Sequence, residues 1–211
     1  MADLFEQSPI ELSHSHWMQR ALELARLGRG LVEPNPMVGC VAVRDGQIIA
    51  QGYHAVYGGA HAEVAALESI EDLSGAVVYV TLEPCSHFGK TPPCAPFLAR
   101  KKPREVIVAM QDSNPEVSGR GIQILQDAGI PVTVGVLESE ARELNAPYIK
   151  LLSTQRPWVI AKWAMTLDGA IATASGESRW ISSPQSRMWV HQLRSRLDGI
   201  IVGIGTVLKD D

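Results

Sequence analysis

Apolar residues recur every three or four positions from His14 to Arg29, which is the spacing of one face of an α-helix. Ser13 directly precedes this segment and belongs to the residue types favoured as N-caps, so the sequence predicts an amphipathic helix that begins here. Two β-rich segments follow, Met37–Val43 and Gln47–Gly52, with Asp45-Gly46 between them. An Asp-Gly pair between such segments predicts a tight β-hairpin.

After the hairpin, the hydrophobic pattern alternates between helices and strands. The predicted helices are Ala62–Ile70, Cys94–Lys101, Gly121–Ala128 and Ser139–Asn145, and the predicted strands are Ala76–Leu82, Glu105–Met110 and Pro131–Val136. A hairpin that leads into alternating strands and helices implies a mostly buried sheet with helices on both faces. We therefore predict an α/β fold, with a three-layer α/β/α domain over residues 1–147.

The composition changes after this domain. Residues 148–156 are interpreted as a linker, and residues 157–211 begin a second α/β unit. Its predicted elements are the strand Trp158–Ala164, the helix Pro184–Leu197 and the strand Gly199–Ile204. So short a segment is marginal as an independent core, so we expect it to be the incomplete N-terminal portion of a domain that supports little activity of its own.

Composition and charge narrow the functional classes. The 211 residues are 45% hydrophobic and 20% charged, as is typical of globular proteins, and no apolar run approaches the ~18–20 residues that span a bilayer. The first residues include Asp3, Glu6 and Glu11 and lack the basic start of a secretory signal. With a formal charge of −4 the chain has no basic surplus for nucleic acid. We expect a cytoplasmic protein without nucleic-acid or membrane partners.

The three cysteines indicate metal chemistry rather than disulfides. An odd, small number of cysteines without a secretory signal argues against a disulfide framework, and Cys40 lies in an apolar segment typical of a buried thiol. Cys85 and Cys94 instead stand near His61 in the predicted fold, because each begins a helix or follows a strand end. One histidine and two thiolates fill three positions of a tetrahedral zinc ion and leave the fourth for water.

Glu63 completes a catalytic interpretation of this site. Zinc lowers the pKa of bound water toward ~7. Glu63, two residues after His61, is placed to take a proton from that water and return it to a leaving group. The alternative is a structural zinc with His54 or His87 as the fourth protein ligand.

The motifs resemble those of a known family. His61-Ala62-Glu63 with Pro84-Cys85 and Cys94 is similar to the H-x-E…P-C-x-x-C signature of zinc-dependent base deaminases, except that eight residues rather than two separate the cysteines. That insertion, together with the segment 81–85, resembles the deaminase half of the bifunctional riboflavin-biosynthesis deaminase/reductases. Segments 34–39 and 112–115 match the same family, and segment 162–169 resembles the start of its reductase half.

The resemblance implies two reactions. The first domain, of cytidine-deaminase-like fold, would hydrolyse the amino group of a diaminopyrimidinone ribosylamine 5′-phosphate to give the uracil analogue and ammonia. The second, of dihydrofolate-reductase-like fold, would reduce the ribosyl group with NADPH. A homo-oligomer is also implied.

Further site residues follow from the same resemblance. The implied substrate contacts are Asn35, His54, Lys90, Asp112, Asn114, Ser178 and Arg194, and the implied cofactor contacts are Ala164, Trp180, Thr206 and Asp210. An amide suits the edge of a pyrimidinone, and a lysine suits a phosphate. The alternatives are ordinary ones: a turn residue for Asn35, solvated side chains for His54, Lys90 and Arg194, and an Asx turn for Asp112.

Two other functions share part of this pattern. A cytidine or tRNA-adenosine deaminase would have the same zinc core, although the acidic pI and the insertion that carries Lys90 disfavour it. A non-catalytic, zinc-stabilised binding module would explain the ligands but not Glu63 beside an open coordination position. The Gly203–Thr206 turn lacks the G-x-G-x-x-G fingerprint, so a Rossmann fold is rejected.

Overall fold

The computed structural model describes residues 13–115 and 117–210, with the side chains of residues 209 and 210 left out of the description. The chain divides into two compact units, with the boundary between Trp158 and Val159. Within the described ranges, no helix has both the length and the apolar character required to cross a membrane.

The first unit is built on a five-stranded sheet. Its strands are β1 (Gly39–Arg44), β2 (Gln47–Tyr53), β3 (Val77–Val80), β4 (Glu105–Val108) and β5 (Val132–Val134), in the order β2-β1-β3-β4-β5. Strand β1 is antiparallel to both β2 and β3, whereas β3, β4 and β5 run parallel. Asp45 and Gly46 both have positive φ, 52° and 71°, as a two-residue turn that matches the strand twist requires.

Helices cover both faces of the sheet. They are α1 (His14–Ala25), which continues into a 3₁₀ turn, α2 (Ala62–Leu67), α3 (Cys94–Lys101), α4 (Arg120–Asp127), α5 (Glu138–Leu144) and α6 (Ala146–Thr154). Met18 and Leu22 of α1 pack with Leu144 of α5 on one face. Leu67, Leu98 and Leu125, from α2, α3 and α4, pack on the other face. The predicted three-layer α/β/α domain is confirmed.

The segment interpreted as a linker is helical. Helix α6 begins at Ala146, directly after α5, and ends at Thr154, where Gln155 adopts a positive φ of 54°. Pro147 lies in its first turn, where proline is tolerated because the N–H groups there have no helical partner. The Asn145 side chain ties the α5–α6 junction to the segment just before β1, since Oδ1 accepts the Met37 N–H at 2.8 Å and Nδ2 donates to the Met37 carbonyl at 3.0 Å.

The second unit contains two helices, α7 (Pro184–Arg194) and α8 (Ile204–Asp210). The predicted strands Trp158–Ala164 and Gly199–Ile204 are wrong, because neither forms a ladder and α8 begins where the second was expected to end. A β-rich segment needs hydrogen-bonding neighbours, and residues 159–208 include no buried side chain against which such a sheet could pack. Ser183 caps α7 by accepting the Ser186 N–H at 3.2 Å.

Candidate metal centre and active site

His61, Cys85 and Cys94 meet at one edge of the sheet. His61 immediately precedes α2, Cys85 lies in the loop after β3, and Cys94 is the first residue of α3. The Nδ1 atom of His61 lies 3.5 Å from the Cys85 Sγ and 3.4 Å from the Cys94 Sγ. All three ligand atoms lie within 4.8 Å of one another. The structure thus brings together the three residues predicted as metal ligands, from elements far apart in the sequence.

This donor set fits zinc. Zn–S and Zn–N bonds of ~2.3 Å and ~2.0–2.1 Å in a tetrahedron imply donor separations of about 3.5 Å, close to those observed here. Hydrogen bonds to the Cys85 sulfur from Cys94 and from His61 lower the pKa of the Cys85 thiol, which favours the thiolate that binds metal.

A fourth protein ligand is not provided by His54. Its Nδ1 lies 2.9 Å from the Ala60 carbonyl and its Nε2 lies 3.3 Å from the Asn35 amide nitrogen, so both ring nitrogens are engaged. Among the residues that the structure describes, the cluster able to hold a metal consists of one histidine and two cysteines. A three-residue set is the arrangement of catalytic rather than structural zinc sites.

Thr91 orients the ligand histidine, a contact that the sequence analysis missed. Its Oγ1 lies 3.2 Å from Nε2 of His61, the ring nitrogen opposite the two sulfurs. A proton on Nε2 donated to Thr91 leaves the Nδ1 lone pair for the metal, as outer-shell partners of metal-bound histidines commonly do. The insertion between the two cysteines therefore does more than separate them. The polar side chain of Thr91 in that insertion was the feature of the sequence from which this contact could have been predicted.

Glu63 is buried in the first turn of α2, with 3% of its surface exposed. Burial, reinforced by the charge of the Cys85 sulfur, raises the pKa of Glu63 to about 7. A carboxyl group that titrates near neutrality can both accept and return a proton, as a general acid–base catalyst must.

A cavity of about 300 Å³ opens beside these residues. The residues predicted for the site that line it are Asn35, His54, His61, Glu63, Cys85, Lys90, Asp112 and Asn114. Cys94 is fully buried and is not among the residues that line the cavity. His87, considered above as an alternative fourth ligand, lines the cavity but is not part of the His61–Cys85–Cys94 cluster. Tyr57, Glu83, Thr91 and Tyr148 also line the cavity and were not predicted.

The pair Asn35–His54 presents a defined polar edge to the cavity. If Nδ1 of His54 donates to the Ala60 carbonyl, its Nε2 accepts a hydrogen bond from the Asn35 amide group. Burial lowers the pKa of His54, consistent with this neutral ring. The amide nitrogen of Asn35 is thereby held toward His54, and its Oδ1 is the acceptor that remains for a ligand.

Lys90 lies on the exposed side of the cavity. Its Nζ is 3.8 Å from the centroid of the Tyr57 ring, a cation–π contact that holds the ammonium group near the cavity mouth. A fixed cation at the mouth of a cavity suits an anionic substituent on a ligand whose ring lies deeper.

Glu83 stabilises the part of the cavity wall that carries Asp112. Its Oε2 accepts the N–H groups of Asp112 at 3.2 Å and Gly119 at 3.0 Å, and its Oε1 accepts those of Gly121 at 2.9 Å and Ile122 at 3.3 Å. Two of these donors belong to the first turn of α4, which has no helical acceptor for them. The Glu83 carboxylate therefore joins the segment before Cys85 to the loop that carries Asp112.

The second unit has a separate cleft of about 980 Å³. Four of its predicted ligand contacts line this cleft, namely Ala164, Ser178, Trp180 and Thr206. Arg194 is not among the lining residues. Arg187, seven residues earlier in the same helix, lines the cleft, with its guanidinium carbon 4.2 Å from the Trp180 ring centroid. Asp210 ends α8, and its side chain lies outside the described part of the structure.

Two family models match the chain. The model of the cytidine and deoxycytidylate deaminase zinc-binding region matches residues 12–110, and that of the RibD C-terminal domain matches residues 157–211. The riboflavin biosynthesis protein RibD of Aquifex aeolicus is 48% identical over 197 residues, which cover 93% of this chain and 55% of that protein. The chain spans about half the length of the curated relatives it matches.

Solved structures show the same similarity. Acinetobacter baumannii RibD superposes with a TM-score of 0.86 at 48% identity, covering 93% of this chain and 55% of that one. The diaminohydroxyphosphoribosylaminopyrimidine deaminase/5-amino-6-(5-phosphoribosylamino)uracil reductase of Thermotoga maritima gives a TM-score of 0.87 at 46% identity, covering 93% and 57%. Both similarities extend across the two units described above.

Proposed function

We propose, from the premise that this chain belongs to the RibD family of riboflavin biosynthesis proteins, that its first unit is a zinc-dependent pyrimidine deaminase. Its proposed substrate is a diaminopyrimidinone ribosylamine 5′-phosphate, and its products are the corresponding uracil and ammonia. The observation that carries this proposal is that one cavity is bordered by the His61–Cys85–Cys94 cluster and lined by the buried carboxyl group of Glu63.

His61, Cys85 and Cys94 would hold the zinc ion, which when bound supplies Lewis-acid activation of a water molecule. Glu63 accepts a proton from the attacking water while the water oxygen bonds to the carbon that bears the amino group. Glu63 then gives this proton to the departing nitrogen. The C–N bond breaks and ammonia leaves, while the remaining hydroxyl proton passes to the adjacent ring nitrogen, so that the carbon–oxygen bond becomes the carbonyl of the uracil.

The remaining lining residues account for recognition of the substrate. Asn35 presents an amide oxygen to the donors of the pyrimidinone edge, because its nitrogen is engaged by His54. Asp112 and Asn114 on the opposite wall are placed to bind N–H and O–H groups of the ring or the ribose. Lys90 at the cavity mouth pairs with the 5′-phosphate.

For the second unit we propose a part in the NADPH-dependent reduction of the ribosyl group. The proposed contacts to NADPH are Ala164, Trp180, Thr206 and Asp210. Ser178 and Arg194 are the proposed substrate contacts. Support comes from the match to the RibD C-terminal domain and from the cleft that four of these residues share. Because residues 159–208 bury no core, we expect this 211-residue chain to deaminate but to oxidise little NADPH when given the deaminated product.

Release of ammonia tests the proposed deamination. The chain, loaded with zinc, is incubated separately with the pyrimidinone ribosylamine 5′-phosphate, cytidine and an adenosine-containing tRNA anticodon stem, with Glu63→Gln as the inactive control. Ammonia from the first substrate alone supports the proposal. Ammonia from cytidine or tRNA would support the alternative deaminases, and zinc binding without ammonia from any of the three would support a binding module.

Several properties stay predictions. They are the domain limits 1–147, 148–156 and 157–211, the homo-oligomeric state, the cytoplasmic location, and the lack of nucleic-acid and membrane partners. The RibD relatives, which align over more than nine-tenths of the chain, favour the small phosphorylated pyrimidine over the cytidine and tRNA-adenosine alternatives.

A further inference from the structure

Helix α6 contributes a side chain to the cavity wall. The hydroxyl group of Tyr148 donates a hydrogen bond to Oδ1 of Asp112 at 3.0 Å, across 36 positions of sequence. Tyr148 lines the cavity, and so does Leu152 one turn further along the same helix. The face of α6 that carries both residues is therefore part of the deaminase cavity.

We propose that Tyr148 is a positioning residue, which holds the Asp112 carboxylate in the orientation that binds the pyrimidine substrate. The inference rests on the proposed function, because it concerns how that substrate is recognised. It gives α6, which follows the last strand of the sheet and α5 in the chain, a role in the substrate specificity of the first unit.

The hydrogen bonds of the Asp112 side chain support this role because they are unequally distributed between its two carboxylate oxygens. Its Oδ1 accepts both the Asn114 N–H at 2.9 Å and the Tyr148 hydroxyl at 3.0 Å. Within the described ranges, no protein group donates to Oδ2. With one oxygen doubly engaged, the carboxylate cannot rotate freely, and Oδ2 is left to accept an N–H or O–H group of the substrate.

The backbone of Asp112 is held as well. Its N–H donates to Oε2 of Glu83 at 3.2 Å, so the residue is fixed to the same carboxylate that binds the first turn of α4. This hydrogen bond fixes the position of the Asp112 backbone. The remaining freedom is rotation of its side chain, and Tyr148 is the side chain that restrains this rotation.

Tyr148 is itself held on a supported helix. The two hydrogen bonds between Asn145 and Met37 anchor the start of α6 to the segment just before β1. Ile149, the next residue, packs against the core cluster on that face. A half-buried tyrosine on such a helix loses little further freedom on binding a ligand, which makes it suitable for orienting another group.

The electrostatics agree with this geometry. Burial raises the pKa of Asp112, whereas the hydrogen bonds from Asn114 and Tyr148 act in the opposite direction and favour the carboxylate. Burial and the neighbouring Asp112 raise the pKa of the Tyr148 hydroxyl, which therefore remains a donor at neutral pH.

The test is the Tyr148→Phe variant, which removes the hydroxyl group and keeps the ring. We expect KM for the pyrimidinone ribosylamine 5′-phosphate to rise on the order of tenfold, as for one lost hydrogen bond to a charged group, with kcat changed far less. Zinc content should stay the same. Ser153→Ala is the matched control, since Ser153 is an exposed hydroxyl residue on the same helix that bonds the Lys150 carbonyl.

A double-mutant cycle shows whether Tyr148 acts through Asp112. In an Asp112→Asn background, Tyr148→Phe should produce little additional rise in KM. An unchanged KM in the single variant, or an equal rise in both backgrounds, would overturn the inference, and so would a lower melting temperature with no kinetic change. These results leave the proposed function intact if the unaltered chain releases ammonia. Failure of the unaltered chain to do so contradicts the proposed function and the inference together.

Discussion

Thr91 and His61 are joined by a 3.2 Å contact between the Thr91 hydroxyl oxygen and the imidazole Nε2, although 30 positions separate them in the sequence. The contact occupies the ring nitrogen that faces away from Cys85 and Cys94. It therefore selects which nitrogen of His61 is free for a metal ion. The loop between the cysteines is in this way part of the candidate metal centre.

Thr91→Val should weaken zinc binding. Loss of the hydroxyl acceptor removes the partner that fixes the tautomer of His61, and such outer-shell changes typically cost about 10–100-fold in metal affinity. Competition with a chromophoric chelator measures the zinc dissociation constant. Thr91→Ser keeps the hydroxyl group and should bind zinc nearly as tightly as the unaltered chain, so equal weakening in both variants would contradict this explanation.

Cys94→Ser should lose both the metal and deamination. A serine oxygen is a poor substitute for a zinc thiolate, and two remaining ligands do not hold the ion. Metal analysis of the purified protein and ammonia release are the two measurements. Cys40→Ala is the control, because Cys40 is a buried thiol of β1 outside the ligand cluster. Full zinc content with unchanged activity in Cys94→Ser would exclude Cys94 as a ligand.

Glu63→Gln should retain zinc and lose roughly 10²–10⁴-fold in kcat, the usual scale for removal of a general acid–base group. The amide has nearly the same shape but cannot accept and return the proton. Glu68→Gln, an exposed position at the end of the same helix, should leave kcat unchanged. Near-normal turnover by Glu63→Gln would show that another group transfers the proton.

Lys90→Ala should discriminate between phosphorylated and dephosphorylated substrates. If the ammonium group pairs with the 5′-phosphate, KM for the phosphorylated substrate should rise on the order of tenfold to a hundredfold, since charge-assisted contacts are the strong ones. The nucleoside-like analogue without phosphate serves as the control and should show little change. Equal effects on both compounds would assign Lys90 to loop structure, through its contact with Tyr57.

Gly121→Ala should destabilise the first unit. An added Cβ would lie 1.9 Å from the Pro84 carbonyl oxygen, so the start of α4 would have to move away from the loop that Glu83 holds. We expect a loss of about 3 kcal/mol in the free energy of unfolding, at the upper end for overpacking, measured by urea denaturation. Gly89→Ala, where the added Cβ meets only the His87 Nε2 at 3.9 Å, should have a far smaller effect.

The local pattern of hydrophobic and polar residues was sufficient to predict most helices and strands of the first unit. The hairpin, the parallel strands and helices α1 to α5 agree with the sequence to within a few residues, because alternation and helical spacing determine which face of each element is buried. The candidate ligands His61, Cys85 and Cys94 could also be identified from the sequence, since few residue types bind zinc and their spacing places them at the ends of elements.

The structure departs from the predicted elements where contacts with another segment decide the outcome. Residues 146–154 contain no strong helical signal of their own, yet α6 forms because Asn145 anchors its start and the core accepts Ile149. The two β-rich segments of the second unit lack a pairing partner within residues 159–208 and stay outside any sheet.

The sequence by itself therefore determined the layered fold of the first unit and identified its candidate metal ligands and the candidate proton carrier Glu63, since both depend on residue type and on short-range period. Only the tertiary structure decided that Thr91 meets His61, that Glu83 binds the first turn of α4, and that Tyr148 meets Asp112. Each of these contacts joins segments about 30 or more positions apart, and hydrogen bonds reach only about 3 Å. Such pairs become visible once the sheet has brought its loops to one edge.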